Sequence, residues 1–120
     1  LMMTDKFTQI WPVEIRCNSD RNKLNVLFDN GKHVEISAEL LRVESPSAEV
    51  QGHGQDQKQT PLNKQDVTIT KITAVGSYAV RLTFSDGHDT GIYSWELLHD
   101  YGHRKEQLMA DYQQRAEALR

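Results

Sequence analysis

The 120-residue chain has a single cysteine, Cys17. One thiol excludes an internal disulfide and any zinc cage built on several cysteines. No apolar stretch approaches the roughly 18 residues that a membrane-crossing helix needs. The start, Leu1-Met2-Met3-Thr4-Asp5-Lys6, lacks the charged-then-apolar layout of a secretory signal. There is no basic block either: 14 Lys and Arg stand against 17 Asp and Glu, a net charge of −3. Duplex nucleic acid is held largely by phosphate neutralisation, so this balance argues against it as a partner. Hydrophobic residues amount to 38%, enough for one small core and too few for two. These shortages predict a soluble cytoplasmic domain with neither nucleic acid nor membrane among its partners.

What is present is strand-like alternation broken by turns. Val13-Glu14-Ile15-Arg16-Cys17 alternates apolar and polar, the period of a half-buried strand. Leu24-Asn25-Val26-Leu27-Phe28 reads as a second strand. Asn30-Gly31 supplies a hairpin turn, and His33-Val34-Glu35-Ile36 returns. Ser37 is placed to cap a short helix over residues 38–43, with Glu39 in its first turn. Residues 44–65 are rich in Gln, Ser, Gly and Asp and form a long loop, with Ser47 placed to cap a further short turn. Of this loop, residues 45–53 are expected to dock against the turn at residues 86–89, and residues 55–64 to be mobile.

The second half repeats the scheme. Residues 67–75 form a strand, and in the next one Tyr78, Val80, Leu82 and Phe84 are expected to share a face. A turn and a short return follow. Ser94 caps a helix through Trp95, a core residue, and Gly102 stands as its C-cap. The tail, residues 103–120, is read as a separate helical extension of a domain spanning 1–102. Its apolar stripe, Leu108, Met109, Tyr112, Ala116 and Leu119, either covers the sheet or meets a second copy. Residues 24–31 echo residues 80–87, and Glu39-Leu40-Leu41 echoes Glu96-Leu97-Leu98. The fold class is α+β: a mainly antiparallel sheet with two short helices and a C-terminal helix.

Chemistry-bearing residues gather in two places. In Asp86-Gly87-His88-Asp89-Thr90-Gly91 a histidine sits between carboxylates. Such a histidine is either a carboxylate-oriented metal ligand or an exposed residue beside a turn. In the loop, Arg42, Ser45, Ser47 and Glu49 precede His53, which is flanked by Gly52 and Gly54. Cys17 has no His or second Cys nearby and reads as an inert buried thiol.

Two longer motifs carry a family resemblance. One is Leu-Leu-Arg-x-x-Ser-Pro-Ser-Ala-Glu-Val-x-Gly-His-Gly, from Leu40. The other is Val-Gly-Ser-Tyr-Ala-Val-Arg-Leu-x-Phe-x-Asp-Gly-His-x-Thr-Gly-Ile-Tyr-Ser-Trp-Glu-Leu-Leu, from Val75. Both resemble the gamma-butyrobetaine-hydroxylase-like N-terminal domain family, which includes small stand-alone bacterial proteins. The resemblance covers about residues 12–102. It implies a module also found in front of 2-oxoglutarate-dependent hydroxylases and fused to iron–sulfur carrier ATPases. It further implies a zinc site of three cysteines and one histidine. Ser45, Ser47 and Val50 stand at the cysteine positions here and His88 at the histidine position, so that zinc is not expected. No cofactor is certain. The favoured function is a non-catalytic accessory module with a protein partner tied to iron–sulfur assembly or an oxygenase. A divalent metal at His88 and His53 is the competing reading, and a homodimer module a third. Arg42, Ser45, Ser47, Glu49, Asp86, His88 and Asp89 are the candidate binding residues.

Overall fold

The computed structural model describes residues 10–52 and 57–120. The chain forms two three-stranded antiparallel sheets with helices packed on them, an α+β fold. The first sheet orders β1 (Pro12–Cys17), β2 (Lys23–Phe28) and β3 (His33–Ser37). Two short helices follow, α1 (Ala38–Val43) and α2 (Ala48–Gln51). The second sheet orders β4 (Ile69–Val75), β5 (Ala79–Phe84) and β6 (Ile92–Ser94), and α3 (Trp95–Leu119) closes the chain. The strands expected in one sheet are therefore divided between two, joined where the Ile69 amide donates to the Arg21 carbonyl and Arg21 Nε returns a bond to the Ile69 carbonyl.

The internal echo is structural. Gly31 and Gly87 both take positive φ, 84° and 91°, which glycine adopts without a Cβ penalty. At each turn an Asx side chain accepts from the amide two residues on: Asn30 from Lys32, Asp86 from His88. Ser37 and Ser94 each cap their helix by accepting the amide three residues later. Pairing of Leu24 with Ile36 corresponds to pairing of Val80 with Tyr93. The second unit thus carries one extra residue between His88 and Ile92, and Ile36 corresponds to the buried Tyr93, not to the exposed Ile92.

Both sheets and all the longer elements feed one core, with Leu24, Ile36, Leu41, Ile69, Leu82, Tyr93 and Leu98 fully buried. Trp95 is buried as expected, and its Nε1–H donates to the Ser77 carbonyl. Val80, Leu82 and Phe84 share the buried face of β5, but Tyr78 does not join them. It sits in the turn before the strand, 57% exposed. Cys17 is half-buried, and that burial, partly offset by Arg21, raises its thiol pKa. This is the environment of an inert thiol.

Gly102 is not a helix C-cap. α3 runs through it and kinks two residues later at Arg104, where φ is −107° and ψ 16°. Glycine stands there for space: a Cβ would lie 2.5 Å from Val34 Cβ. Gly102→Ala therefore sets a helix-propensity gain of about 1 kcal/mol against an overpacking cost of about 1–3 kcal/mol. Net destabilisation is expected, read as a lower urea midpoint; a raised midpoint would mean that β3 yields freely.

The tail's stripe is used within the chain. Tyr112 and Ala116 are buried, Leu108 and Met109 pack partly against the core, and Leu119 stays exposed.

Candidate functional site

The two chemistry-bearing segments meet. α1 ends at Val43, and the turn into α2 presents Ser45 and Ser47 to the loop after β5. Ser45 Oγ lies 2.9 Å from His88 Nε2, Ser47 Oγ 3.4 Å from the same nitrogen, and the two hydroxyls are 3.3 Å apart. Ser45 is fully buried, and Ser47 and His88 nearly so. His88 is therefore no exposed turn residue. Ser47 occupies the N-cap position of α2 but makes no side-chain cap bond, because its hydroxyl is turned to Ser45 and His88.

Charged residues ring this corner. Asp86 Oδ2 accepts from Arg42 Nε at 2.8 Å and from Lys64 Nζ at 2.7 Å. Burial opposes ionisation of Asp86, but the bonds from Lys64, Arg42 and the His88 amide outweigh it and hold the carboxyl well below the usual range. Glu49 Oε1 accepts from Thr90 Oγ1 at 2.5 Å and lies 3.5 Å from His88 Nδ1. Asp89 stays exposed and acts on His88 only through space. Val50 is buried. His53 lies outside the described residues. Of the residues singled out in the sequence, the structure thus brings together Arg42, Ser45, Ser47, Glu49, Asp86 and His88.

Two members escape sequence reading. Lys64 joins Asp86 from across the long loop. Glu44, 4% exposed, accepts from Lys58 at 2.9 Å and from Arg115 at 2.6 Å, while its carbonyl accepts from the Tyr101 hydroxyl. The Gln59 amide donates to the Val50 carbonyl and the Tyr112 hydroxyl to the Pro61 carbonyl. The polar run expected to be mobile is therefore anchored, in its described part, at Lys58, Gln59, Pro61 and Lys64. No local pattern signals these ties, because each partner is chosen by the tertiary arrangement.

Burial, and then the Arg42 guanidinium, push the His88 imidazole below its ordinary value, against the pull of Glu49, Asp86 and Asp89. The folded state thus keeps His88 neutral while the unfolded chain takes up a proton near pH 6.5. This contribution to stability is complete above about pH 6.5 and is lost as pH falls through the lower folded value. Melting temperature is expected to drop from pH 7 to pH 5, and His88→Gln to flatten that slope. An unchanged slope would assign the effect elsewhere.

Chemically, Ser45, His88 and Glu49 stand in the order nucleophile, base, carboxylate. A triad needs a reachable hydroxyl. Here Ser45 Oγ is sealed by the backbone at Gly91, where a Cβ would sit 2.5 Å away. The donor set does not suit zinc either. Two hydroxyls, a valine and one imidazole offer no soft thiolate. Among the described residues no three His, Cys, Asp or Glu side chains converge on a metal position. What the corner does is tie the α1–α2 segment to the β5–β6 loop.

Comparison with known proteins accords with this architecture. A solved NMR structure is similar to the chain at 42% identity, covering 93% of this chain and 83% of that one, with a TM-score of 0.79. A second NMR structure is similar at 36% identity, covering 91% and 86%, with a TM-score of 0.77. A crystal structure of a DUF971-family protein of unknown function from Acidithiobacillus ferrooxidans is 38% identical. It covers 72% of this chain and 86% of its own, with a TM-score of 0.60. No curated protein matches. The family model described as gamma-butyrobetaine hydroxylase-like, N-terminal, matches residues 15–99. The chain belongs to the gamma-butyrobetaine hydroxylase-like N-terminal family.

Proposed function

We propose that the chain is a non-catalytic binding module in which a metal-free hydrogen-bonded corner holds the loop that meets a protein partner. The observation that supports this most is the buried contact of Ser45 and Ser47 with His88. It fixes the α1–α2 segment without a cation and leaves the serine inaccessible to substrate. Around it, Glu49 and Asp89 remain exposed and form the rim offered to the partner. The resemblance to modules joined to iron–sulfur carriers and oxygenases supports a partner of that kind.

A photo-crosslinking residue placed at Asp89 in the native cell tests the reading, with the same residue at Glu35, outside the corner, as control. Capture of an iron–sulfur carrier or an oxygenase at position 89, and not at 35, is the expected outcome. Equal capture from both positions would overturn the rim as docking surface. Stoichiometric zinc surviving dialysis against a chelator would overturn the metal-free corner.

A further inference from the structure

β1 is an edge strand. It pairs with β2 on one side, and among the described residues no strand lies on the other. The Asn18 amide donates to the Lys23 carbonyl. Counting back along the antiparallel ladder, Arg16 with Asn25 is the next hydrogen-bonded pair. Ile15 and Cys17 therefore turn their amides and carbonyls away from β2, to the free side. Edges left open are commonly guarded by lysine or proline. Residues 13–17 hold neither; Pro12 and the bulge between Pro12 and Glu14 stand only at the end of the stretch. Val13, 64% exposed, and Trp11, 43% exposed, lie beside it. The opposite edge of the same sheet is closed. There α3 packs on β3, with Gly102 against Val34, and Lys105 Nζ donates to the Glu35 carbonyl at 2.8 Å.

We propose that β1 pairs antiparallel with β1 of a second copy, about a two-fold axis at Ile15, so that the two first sheets become one. The strand is self-complementary about that residue. Pairing centred on Ile15 sets Glu14 opposite Arg16 of the second copy and Arg16 opposite its Glu14, on the exposed face. These are then the non-hydrogen-bonded positions, where facing Cα atoms approach to about 4.5 Å and side chains come closest. Opposite charges facing each other there stabilise a sheet, and like charges destabilise it. Moving the axis by one residue sets Glu14 against itself or Arg16 against itself, so charge also fixes the register. Within one chain the two groups are 3.7 Å apart and each more than half exposed, which leaves them able to turn to a second copy. A two-fold contact uses both β1 edges. With β3 closed, assembly ends at a dimer. β1 gives no side chain to the serine–histidine corner, so this inference does not depend on the reading of that corner.

Sedimentation equilibrium of the full chain at low ionic strength tests the proposal. At high protein concentration the mass is expected to approach twice that of the monomer, and to fall as salt is added. Glu14→Lys and Arg16→Glu each set like charges opposite twice, by symmetry. Each is expected to weaken dimerisation about tenfold or more. Mixed in equal amounts, the two single variants are complementary at both pairs and are expected to dimerise with each other. Both changes on one chain are expected to restore the dimer. All the changes are at exposed positions, and circular dichroism checks that the fold is kept. A wild-type chain that stays monomeric, single variants that dimerise as the wild type does, or a mixture that forms no heterodimer would each overturn the assignment.

Discussion

Deleting residues 103–120 is expected to abolish cooperative unfolding at 25 °C. The deleted segment supplies the buried Tyr112 and Ala116 and the partly buried Leu108 and Met109. It also supplies Arg115, which meets the buried Glu44 carboxylate at 2.6 Å. Tyr112→Ala alone is expected to cost about 3–5 kcal/mol as a large buried aromatic. A domain of this kind has only about 5–15 kcal/mol in total. Arg115→Ala adds the penalty of a buried carboxylate left with Lys58 alone, about 1–3 kcal/mol. Urea unfolding followed by tryptophan fluorescence reads all three. A truncated chain that melts like the full one would show residues 103–120 to be a separate appendage.

The second large effect is a gain. Converting Ser45, Ser47 and Val50 together to cysteine is expected to create stoichiometric zinc binding, with His88 as fourth ligand. The hydroxyl oxygens and His88 Nε2 already form a triangle with sides of 2.9, 3.3 and 3.4 Å. A tetrahedral zinc with three thiolates and one imidazole wants donors roughly 3.5–3.8 Å apart, and longer C–S bonds move them that way. Structural zinc sites reach apparent binding energies of about 10–16 kcal/mol in small peptides. A large rise in melting temperature with zinc, reversed by chelator, is therefore expected by linkage. Elemental analysis checks the stoichiometry, and adding His88→Ala must lower it. A triple variant without zinc would mean that the loop has left metal-binding geometry.

Elements governed by local chemistry were legible in the sequence. Ser37, Ser94 and Asn30-Gly31 act through bonds spanning two or three residues, so spacing alone places them. The meeting of Ser45 and Ser47 with His88 was foreseeable only through the family motif, since 41 and 43 residues separate the partners. Gly102 misled because glycine serves two ends, a left-handed cap and a close approach, and only the position of Val34 tells them apart. Lys58 and Lys64 stand in the polar run expected to be mobile, and nothing in the spacing of Arg115 signals a buried partner. Their carboxylate partners are picked by packing, about which composition is silent.

Glu44 sets a sequence of events in time. Its carboxylate is fully paired only when Lys58 and, 71 residues downstream, Arg115 have closed on it. A buried carboxylate without its cations is strongly disfavoured. A growing chain that has just finished the first sheet and α1 buries the end of that helix only at the cost of an unpaired carboxylate. Consolidation waits for Arg115 to emerge. Until then the end of α1 and the serine segment after it stay hydrated and accessible to chaperones, proteases or a modifying enzyme. The finished protein offers no such opening, so its birth and its maturity present different surfaces to the cell.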